Sequence, residues 1–495
     1  MKEVSEDLYQ LAQSLTPAEA GYFVTYLKRF KLSHTAAYLA VFTLMRQQHT
    51  YNENELKAAA QSAEVVKKFS FHKSVILDYL LASLISYYRD SSLETTLHRL
   101  LESAAILSQK HLHRAALKMI NKAEQLALQY EKHAILLEIY EYERRLLKQT
   151  STQNIEQAFE ENRTKRAACI QKLENAGCYA AINDKVFILY RELNVAKTPD
   201  NQNKLGQLMK SPLLKNEKQA LSFDARLKYF EIHALSHQLK AEYKKAATCR
   251  EHMFTLWENH PHMIPEMPVR YRTDLSSLLS LRSAVGNWTD FEPLLQRLQK
   301  LRGATSEETA ATFREVLYLR QIYYLNNNKL KEALALLPEI EKGLEQYESL
   351  IGTARLFNFY FNNCITCFLC GKYDAALHWS QHLAKPGKHK NIRNDLREFA
   401  RILELIIYYQ TGKHDIAQQH LRNTRDRLNY SNTLFEFEQI VLQHIKALLI
   451  LTKDKKQEQK QLTLLSKELE QLNSRTADSK LLGLEEIIFW LKQKI

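Results

Sequence analysis

The sequence predicts an all-α solenoid in which antiparallel helix pairs stack in a row, and three observations support this. Turn-forming residues are rare, with 11 Gly and 9 Pro in 495 residues, against average usages of about 7% and 5%. The commonest residues, among them Leu, Ala, Lys, Glu and Gln, are strong helix formers. A turn followed by a crossing residue recurs at nearly constant spacing, as a row of stacked helix pairs requires.

The clearest helix pair lies in residues 357–383. An apolar-periodic segment ends at Gly371, and Tyr373 opens the next segment. Gly is the usual residue at the end of a helix, because it adopts the left-handed conformation found there. Ala376 then stands where the two helices cross, since a small side chain allows the backbones to approach closely. These residues predict two antiparallel helices joined by a tight turn.

Four other turns between Leu213 and residue 450 are each followed by a crossing residue. Together with Ala376, the crossing positions are separated by 45, 42, 43 and 41 residues. A period of this size indicates a helical solenoid, in which each pair buries its face only against its neighbours. The four turns and their crossing residues are Lys240–Tyr243 with Ala246, Gly286–Trp288 with Phe291, Asn328–Leu330 with Ala333, and Gly412–His414 with Ala417.

The two ends of the chain are helical but less regular. Thr16 and Glu19 form a capping box that begins a helix at Pro17, and a first recognisable pair places Ala116, Ile120 and Ala123 on one face. The final apolar helix, 478–494, reads as a cap that covers the end of the solenoid, with membrane-surface binding as the alternative. We therefore predict an N-terminal helical region (1–197), a repeat array (213–450) and C-terminal capping helices (451–495).

The 357–383 segment resembles a tetratricopeptide repeat, because Gly371, Tyr373 and Ala376 match the Gly, aromatic and Ala of that motif. The resemblance implies a right-handed superhelical solenoid whose inner groove binds peptides. The period is longer than the usual 34 residues, and Phe291 departs from the small crossing residue. The N-terminal half also resembles a family of bacterial helical-repeat proteins with no assigned activity, through L-T-P-A-E-A-G-Y-F, I-L-D-Y-L-L-A-S-L-I-S-Y-Y-R and I-L-L-E-I-Y-E-Y-E-R-R-L-L.

Charge and cysteine content indicate a cytoplasmic protein. The net charge of +13 permits nucleic acid or an acidic partner without requiring either. Residues 1–7 carry acids and no apolar run, and no segment approaches the roughly 18 apolar residues of a membrane span. Six Cys in so long a chain show no secreted disulfide framework. We therefore expect reduced thiols and no membrane partner.

No catalytic or nucleotide-binding motif occurs in the chain, so we expect no enzyme activity and no cofactor. The spacing of Cys364, Cys367 and Cys370 resembles a metal or iron–sulfur signature. On a helix, however, such residues act as small core hydrophobes. His111–His113 and His260–His262 each offer two His without a carboxylate partner. We expect core and turn positions here and no metal site.

The predicted binding site is a groove lined by the first helix of each pair. Aromatic rings with a few amides and hydroxyls suit a peptide or helix, so we predict a non-catalytic scaffold or adaptor. Packing of several of these side chains against the neighbouring repeat is the alternative. The predicted groove residues are Ser276, Ser280, Ser283, Tyr318, Ile322, Phe361, Asn362, Ile365, Phe368, Ile406 and Tyr409.

Nucleic-acid binding is the second functional interpretation. It depends on the basic turn Lys385–Lys390 with Arg393, and on Lys28 and Arg29 among aromatic residues. Helical repeats can read single-stranded RNA one base per repeat, although those repeats are shorter and more regular than these. Salt-sensitive retention on RNA would favour this interpretation.

Overall fold

The computed structural model describes residues 4–30, 32–88, 92–149, 154–193, 199–301, 303, 305–384, 394–430, 436–451, 454–475 and 482–495. Every regular element in these ranges is a helix, and none of these residues lies in a β-strand. The predicted all-α class is confirmed. Within the same ranges, no helix has the length and apolar composition needed to cross a membrane.

The chain forms two compact units. The first contains residues 1–181 and 216–225, and the second contains residues 182–215 and 226–495. The division therefore falls inside one long helix, between Ala181 and Ile182, and not in a loop. Residues 451–495, predicted as a separate capping region, belong to the second unit.

The first unit is built from helices α1 to α9 and the first part of α10. Its core includes Phe23 and Phe42, whose ring centres lie 4.5 Å apart. The helices are α1 (Val4–Ser14), α2 (Pro17–Arg29), α3 (Thr35–Gln47), α4 (Glu53–Ala59), α5 (Ala63–Lys67), α6 (Phe69–Tyr87), α7 (Leu93–Gln109), α8 (His113–Gln129), α9 (His133–Leu147) and α10 (Ile155–Leu193).

Two local predictions for this unit are confirmed. The Glu19 amide donates to the Thr16 hydroxyl at 3.3 Å, and the Thr16 amide donates to the Glu19 carboxylate at 2.6 Å, which is the expected capping box. Helices α7 and α8 form the first antiparallel pair, because Lys132 just beyond the end of α8 contacts Glu94 at the start of α7 at 2.9 Å. Ala116 is fully buried in that pair.

The second unit continues with shorter helices joined mostly by tight turns. Its members after α10 are α11 (Pro199–Met209), α12 (Phe223–Leu239, from residue 226 onward), α13 (Tyr243–Asn259), α14 (Pro268–Ala284), α15 (Phe291–Lys300), α16 (Ser306–Asn326), α17 (Leu330–Ala335), α18 (Leu337–Tyr347), α19 (Thr353–Leu369), α20 (Tyr373–Ala384), α21 (Asn394–Gln410), α22 (His414–Tyr430), α23 (Glu436–Ile450), α24 (Lys455–Arg475) and α25 (Leu484–Lys492).

The predicted turns share one backbone conformation. In each, a single residue has a φ between +58° and +72°, and the next amide donates to a carbonyl in the last turn of the preceding helix. Lys372, for example, donates to the Cys367 carbonyl at 2.8 Å. This pattern is the Schellman motif, which satisfies carbonyls at a helix end. The left-handed residues are His111, Ala241, Gly286, Asn328, Gly371 and Gly412.

The predicted crossing residues are all buried, as a position between two packed helices requires. Each follows its left-handed turn residue by the same interval along the chain, so it occupies an equivalent place on the second helix. None is more than 1% exposed, including the large Phe291 at a position predicted to be small. The crossing residues are Ala116, Ala246, Phe291, Ala333, Ala376 and Ala417.

The first helices of successive pairs lie side by side in the second unit. Helices α14, α16, α19, α21 and α23 each contact the next one in this order. Within the pairs the helices run antiparallel: Arg427 near the end of α22 contacts Glu398 near the start of α21 at 3.1 Å. In α19 and α20, the ring centres of Tyr360 and His382 lie 4.9 Å apart, which fits the same arrangement.

Candidate functional site

The predicted groove residues lie on the helices that pack side by side. We call this the first-helix face, and define it by the eleven predicted residues on α14, α16, α19 and α21 together with Phe399 of α21. Five of the eleven are half-buried: Ser280, Ser283, Tyr318, Ile322 and Asn362. The other six are buried: Ser276, Phe361, Ile365, Phe368, Ile406 and Tyr409.

Contacts between neighbouring helices account for several of these positions. The Ser276 hydroxyl on α14 donates to the Glu315 carboxylate on α16 at 2.7 Å. The Arg355 guanidinium on α19 lies 4.5 Å from the centre of the Tyr318 ring on α16, close enough for a cation–π contact. On α19, Phe361 packs against Phe399 of α21 with ring centres 5.7 Å apart. These side chains join successive pairs, as the packing alternative anticipated.

Helix α25 covers part of the first-helix face. Its Trp490 ring lies 6.0 Å from the ring of Phe368 on α19, and both side chains are only 1% exposed. Gly483, just before α25, sits so close to Phe399 that an added Cβ would clash with the ring. Gly483 also has a φ of +79°, which favours glycine. The C-terminal segment therefore covers Phe368 of α19 and Phe399 of α21.

A second C-terminal contact covers the far end of α21. The buried Tyr409 hydroxyl donates a hydrogen bond to the Glu458 carboxylate of α24. Burial raises the pKa of the Tyr409 hydroxyl above its ordinary value, and the hydrogen bond to Glu458 raises it further. Phe368 and Tyr409 are thus core residues in this state of the chain, because C-terminal helices lie over them.

The apolar side of α25 provides the buried surface of this contact. It carries the predicted Leu484, Ile488 and Leu491, and Leu481 of the predicted face lies outside the described residues. Each of the three described leucine and isoleucine side chains is at most 7% exposed. The surface that a membrane would need is already packed against protein, so the burial favours the capping interpretation of this helix.

A buried pair of amides links α16 and α19 below the face. The Gln321 side-chain nitrogen donates to the Asn363 oxygen at 2.7 Å, and both residues are fully buried. The remaining Oε1 of Gln321 and Nδ2 of Asn363 have no described hydrogen-bond partner. A buried amide pair disfavours other alignments of α16 against α19. If one helix slid along the other, the side-chain polar atoms of the pair would be buried without any hydrogen bond.

The cysteine triplet occupies core positions. Cys364 and Cys367 are buried, and Cys370 is half-buried with its Sγ 3.5 Å from the Leu330 carbonyl. Burial raises the pKa of Cys367 to about 12 and that of Cys364 higher still. Thiols with such pKa values stay protonated near neutral pH and pack as small, neutral core side chains. Among the described residues, no group of three or more His, Cys, Asp or Glu is arranged to hold a metal ion.

The histidine pairs lie at helix boundaries, but only His111 and His260 are outside helices, since His113 begins α8 and His262 lies in a short 3-10 helix, Pro261–Met263. His111 is the left-handed residue of the α7–α8 turn, with a φ of +59°. His260 follows α13, and its Nδ1 lies 2.9 Å from the Leu256 carbonyl at the helix end.

The basic turn Lys385–Lys390 with Arg393 lies outside the described residues. Lys28 and Arg29, the other basic residues of that interpretation, are exposed at the end of α2. Beside them runs an aromatic band, defined as Tyr22, Tyr26, Phe30 and Tyr79. Its consecutive ring centres are 6.3, 5.1 and 5.3 Å apart.

One surface was missed by the sequence analysis. A cleft of about 860 Å³ lies between α22 and α23, the second helix of one pair and the first of the next. Its lining combines Arg and Lys with Gln and Leu. Each helix contributes residues at three- and four-residue spacing. This spacing is visible in the sequence, but it does not identify a cleft, because many solvent-exposed helix faces have the same spacing.

Comparison of the chain with protein-family models, with curated proteins and with solved structures returned no match. The functional argument therefore depends on the chain's own surfaces.

Proposed function

We propose that the chain is a non-catalytic protein-interaction scaffold. In this proposal the second unit is a right-handed, tetratricopeptide-like solenoid, and its first-helix face binds an amphipathic helix of a protein partner. The observation that carries the proposal is the position of α25, whose Trp490 packs on Phe368 of that face. A face that receives one apolar helix has the shape and chemistry to receive another.

The contact between α25 and the face follows the helix-in-groove mode of recognition. In that mode, an amphipathic helix lays anchors at three- and four-residue spacing into an apolar groove. Leu484, Ile487, Ile488 and Leu491 have this spacing and are buried. An isolated helix needs about 12–15 residues to be even marginally stable in water, and α25 has 9. Its helical state therefore depends on the face, which makes exchange for a partner helix feasible.

The half-buried residues of the face supply the remaining recognition chemistry. Tyr318 and Ile322 offer apolar surface on α16, and Asn362 of α19 is half-buried, with its Nδ2 enclosed by the protein. A partner that extends beyond the length of α25 would contact these residues. The ring and the isoleucine would anchor apolar side chains of such a partner.

The test uses the full chain and a fluorescein-labelled peptide of residues 482–495. In Trp490→Ala, loss of a buried aromatic ring lowers the stability of the folded state by about 3–5 kcal/mol. This loss should release α25 from the face. The labelled peptide should then bind at least about tenfold more tightly to Trp490→Ala than to the wild type, where the tethered helix competes at high effective concentration. Trp490→Phe is the matched control, because it keeps a ring and the indole N–H has no described hydrogen bond.

Fluorescence anisotropy gives the affinity, and hydrogen–deuterium exchange in residues 484–492 reports whether α25 has been released. Fast exchange there without peptide binding would contradict the proposal, as would equal binding by the wild type.

Nucleic-acid binding is a second candidate function, favoured by the aromatic band on the first unit. Phe30 is 48% exposed and adjoins the exposed Lys28 and Arg29, so rings for base stacking lie beside cations for phosphates. If this function holds, a single-stranded RNA should bind with strong salt dependence. Phe30→Ala should weaken binding by the roughly 1–3 kcal/mol typical of one stacked base, whereas Phe187→Ala, which removes another exposed ring, should not. Equal binding by both variants, or none by the wild type, would exclude it.

A further inference from the structure

We propose that the cleft between α22 and α23 binds an acidic, amphipathic helical segment of another protein. This site is distinct from the first-helix face, and no residue of α25 lines it. The proposal therefore does not depend on the function proposed above.

The shape of the cleft fits a short helix. On α22 its lining runs from Gln418 to Asp426, and on α23 from Gln439 to Ile450. At about 1.5 Å per residue these stretches are about 12 and 17 Å long. An occupant lying along them would present two to three turns of helix. The volume of about 860 Å³ lies within the range of about 300–1,000 Å³ that is common for ligand sites.

The base of the cleft is apolar. Leu442 and Leu449 of α23 are 5% and 6% exposed, and Leu421 of α22 is half-buried beside them. At one end, Ile450 has 74% of its surface exposed. An aliphatic or aromatic side chain of the occupant would gain by removing this apolar surface from water. The occupant therefore needs an apolar stripe.

The rim of the cleft is basic. Arg422 and Arg425 project from adjacent turns of α22, and Lys446 lies on α23. All three are exposed, and within the described part of the chain none has an ion pair or a hydrogen bond. Of the described residues that line this cleft, Asp426 is the one acid. Like charges three residues apart on a helix repel each other, so carboxylates of an occupant would relieve this repulsion as well as form ion pairs.

The remaining lining favours a protein occupant over other polyanions. Gln418 and Gln443 are exposed, and their amides can both donate to and accept from a peptide. No aromatic ring occurs among the described residues that line the cleft. Single-stranded nucleic acid is usually held by such rings. The combination of apolar base, amides and cations matches an acidic amphipathic helix, with glutamates toward the rim and apolar anchors toward Leu442 and Leu449.

The experiment selects displayed random 16-residue peptides on the full chain and measures the enriched peptides by fluorescence anisotropy. The test variant is Arg422→Glu/Arg425→Glu. The matched control is Lys460→Glu/Lys467→Glu, which changes the net charge equally at exposed positions of α24. Circular dichroism confirms that both variants fold. A single-stranded RNA and anionic vesicles serve as additional probes.

We expect enrichment of peptides with Asp or Glu on one face and Leu, Ile or Phe at three- and four-residue spacing. Such a peptide should bind the wild type and the control variant equally, and the test variant at least about tenfold more weakly, because charge reversal turns attraction into repulsion. No enrichment, enrichment of neutral or basic peptides, or undiminished binding to the test variant would overturn the proposal. RNA or vesicle binding that depends on both arginines, without acidic peptide binding, would also overturn it.

Discussion

The ring of Trp490 lies 6.0 Å from the ring of Phe368, and both are excluded from water. This one contact joins the C-terminal helix α25 to the face that the sequence predicts as a binding groove. It explains why Phe368, a residue predicted to line the groove, is a core residue. In the proposed function, α25 is an amphipathic helix bound to this face within the same chain.

The docking of α25 should depend on the absence of a side chain at Gly483. In Gly483→Ala, the new Cβ would meet the Phe399 ring, and the left-handed backbone would be strained as well. We expect faster hydrogen–deuterium exchange throughout residues 484–492 and a lower melting temperature. Gly371→Ala is the matched control, because Gly371 also has a positive φ of +69° but has nothing within 4 Å of the added Cβ.

The control should lose only the roughly 1–2 kcal/mol of a left-handed alanine and should leave exchange in α25 unchanged. If the two variants behave alike, the close approach of Gly483 to Phe399 has no role in holding α25.

A glycine at position 241 should stabilise the second unit. Ala241 occupies a left-handed turn with a φ of +58°, which is unfavourable for any residue with a Cβ. Ala241→Gly should therefore raise the free energy of unfolding by about 1 kcal/mol, observed as a higher melting temperature. Ala246→Gly is the matched comparison, because Ala246 lies in α13, the helix that follows the turn containing Ala241. It removes a fully buried methyl group from a helix interior, so it should lower stability by a similar amount or more. A loss of stability in Ala241→Gly would contradict the assignment of the turn.

The buried cysteines should be almost inert toward thiol reagents. The pKa of Cys367 is raised to about 12 by burial, so its thiolate is scarce at pH 8, and the thiolate is the reactive form. We expect native Cys364 and Cys367 to react with iodoacetamide orders of magnitude more slowly than the exposed Cys178, as measured by mass spectrometry of digested samples. Rapid labelling of Cys364 or Cys367 in the folded chain, or stoichiometric zinc bound by the triplet, would contradict their assignment to the core.

Removing one member of the Gln321–Asn363 amide pair should lower the free energy of unfolding more than removing both. Gln321→Leu leaves the Asn363 amide buried without its partner, which typically costs about 1–3 kcal/mol. The double variant Gln321→Leu/Asn363→Leu removes both polar groups and should recover most of that loss. Thermal unfolding of Gln321→Leu, Asn363→Leu and the double variant gives the coupling free energy between the two side chains. Additive effects would show that the hydrogen bond does not link α16 to α19.

The local features of the fold were predictable because they depend on neighbouring residues. Gly371 and Gly412 marked helix ends, and Ala246 and Ala376 marked crossings, because backbone conformation and side-chain size act within a few residues. Ala241 lies in the predicted turn Lys240–Tyr243 although it has a Cβ. The all-α class followed from the same local signals.

The coverage of the first-helix face was not predictable from periodicity. Helical spacing places Phe361, Phe368 and Tyr409 on one side of their helices, but it does not show what covers that side. Phe368 is covered by Trp490, a contact across more than a hundred residues of chain. The cleft beside Arg422 and Arg425 depends on the separation of α22 and α23, which no local pattern specifies. Such long-range relationships require the tertiary structure.

The most direct test of the central claim is a hydrogen–deuterium exchange footprint of peptide 482–495 on the full-length Trp490→Ala chain. If the first-helix face binds amphipathic helices, saturating peptide should protect residues 353–369 and 394–410, which form α19 and α21, and restore exchange there toward the wild-type rate. Protection confined to other helices, or none at saturating peptide while α25 itself is released, would contradict the claim.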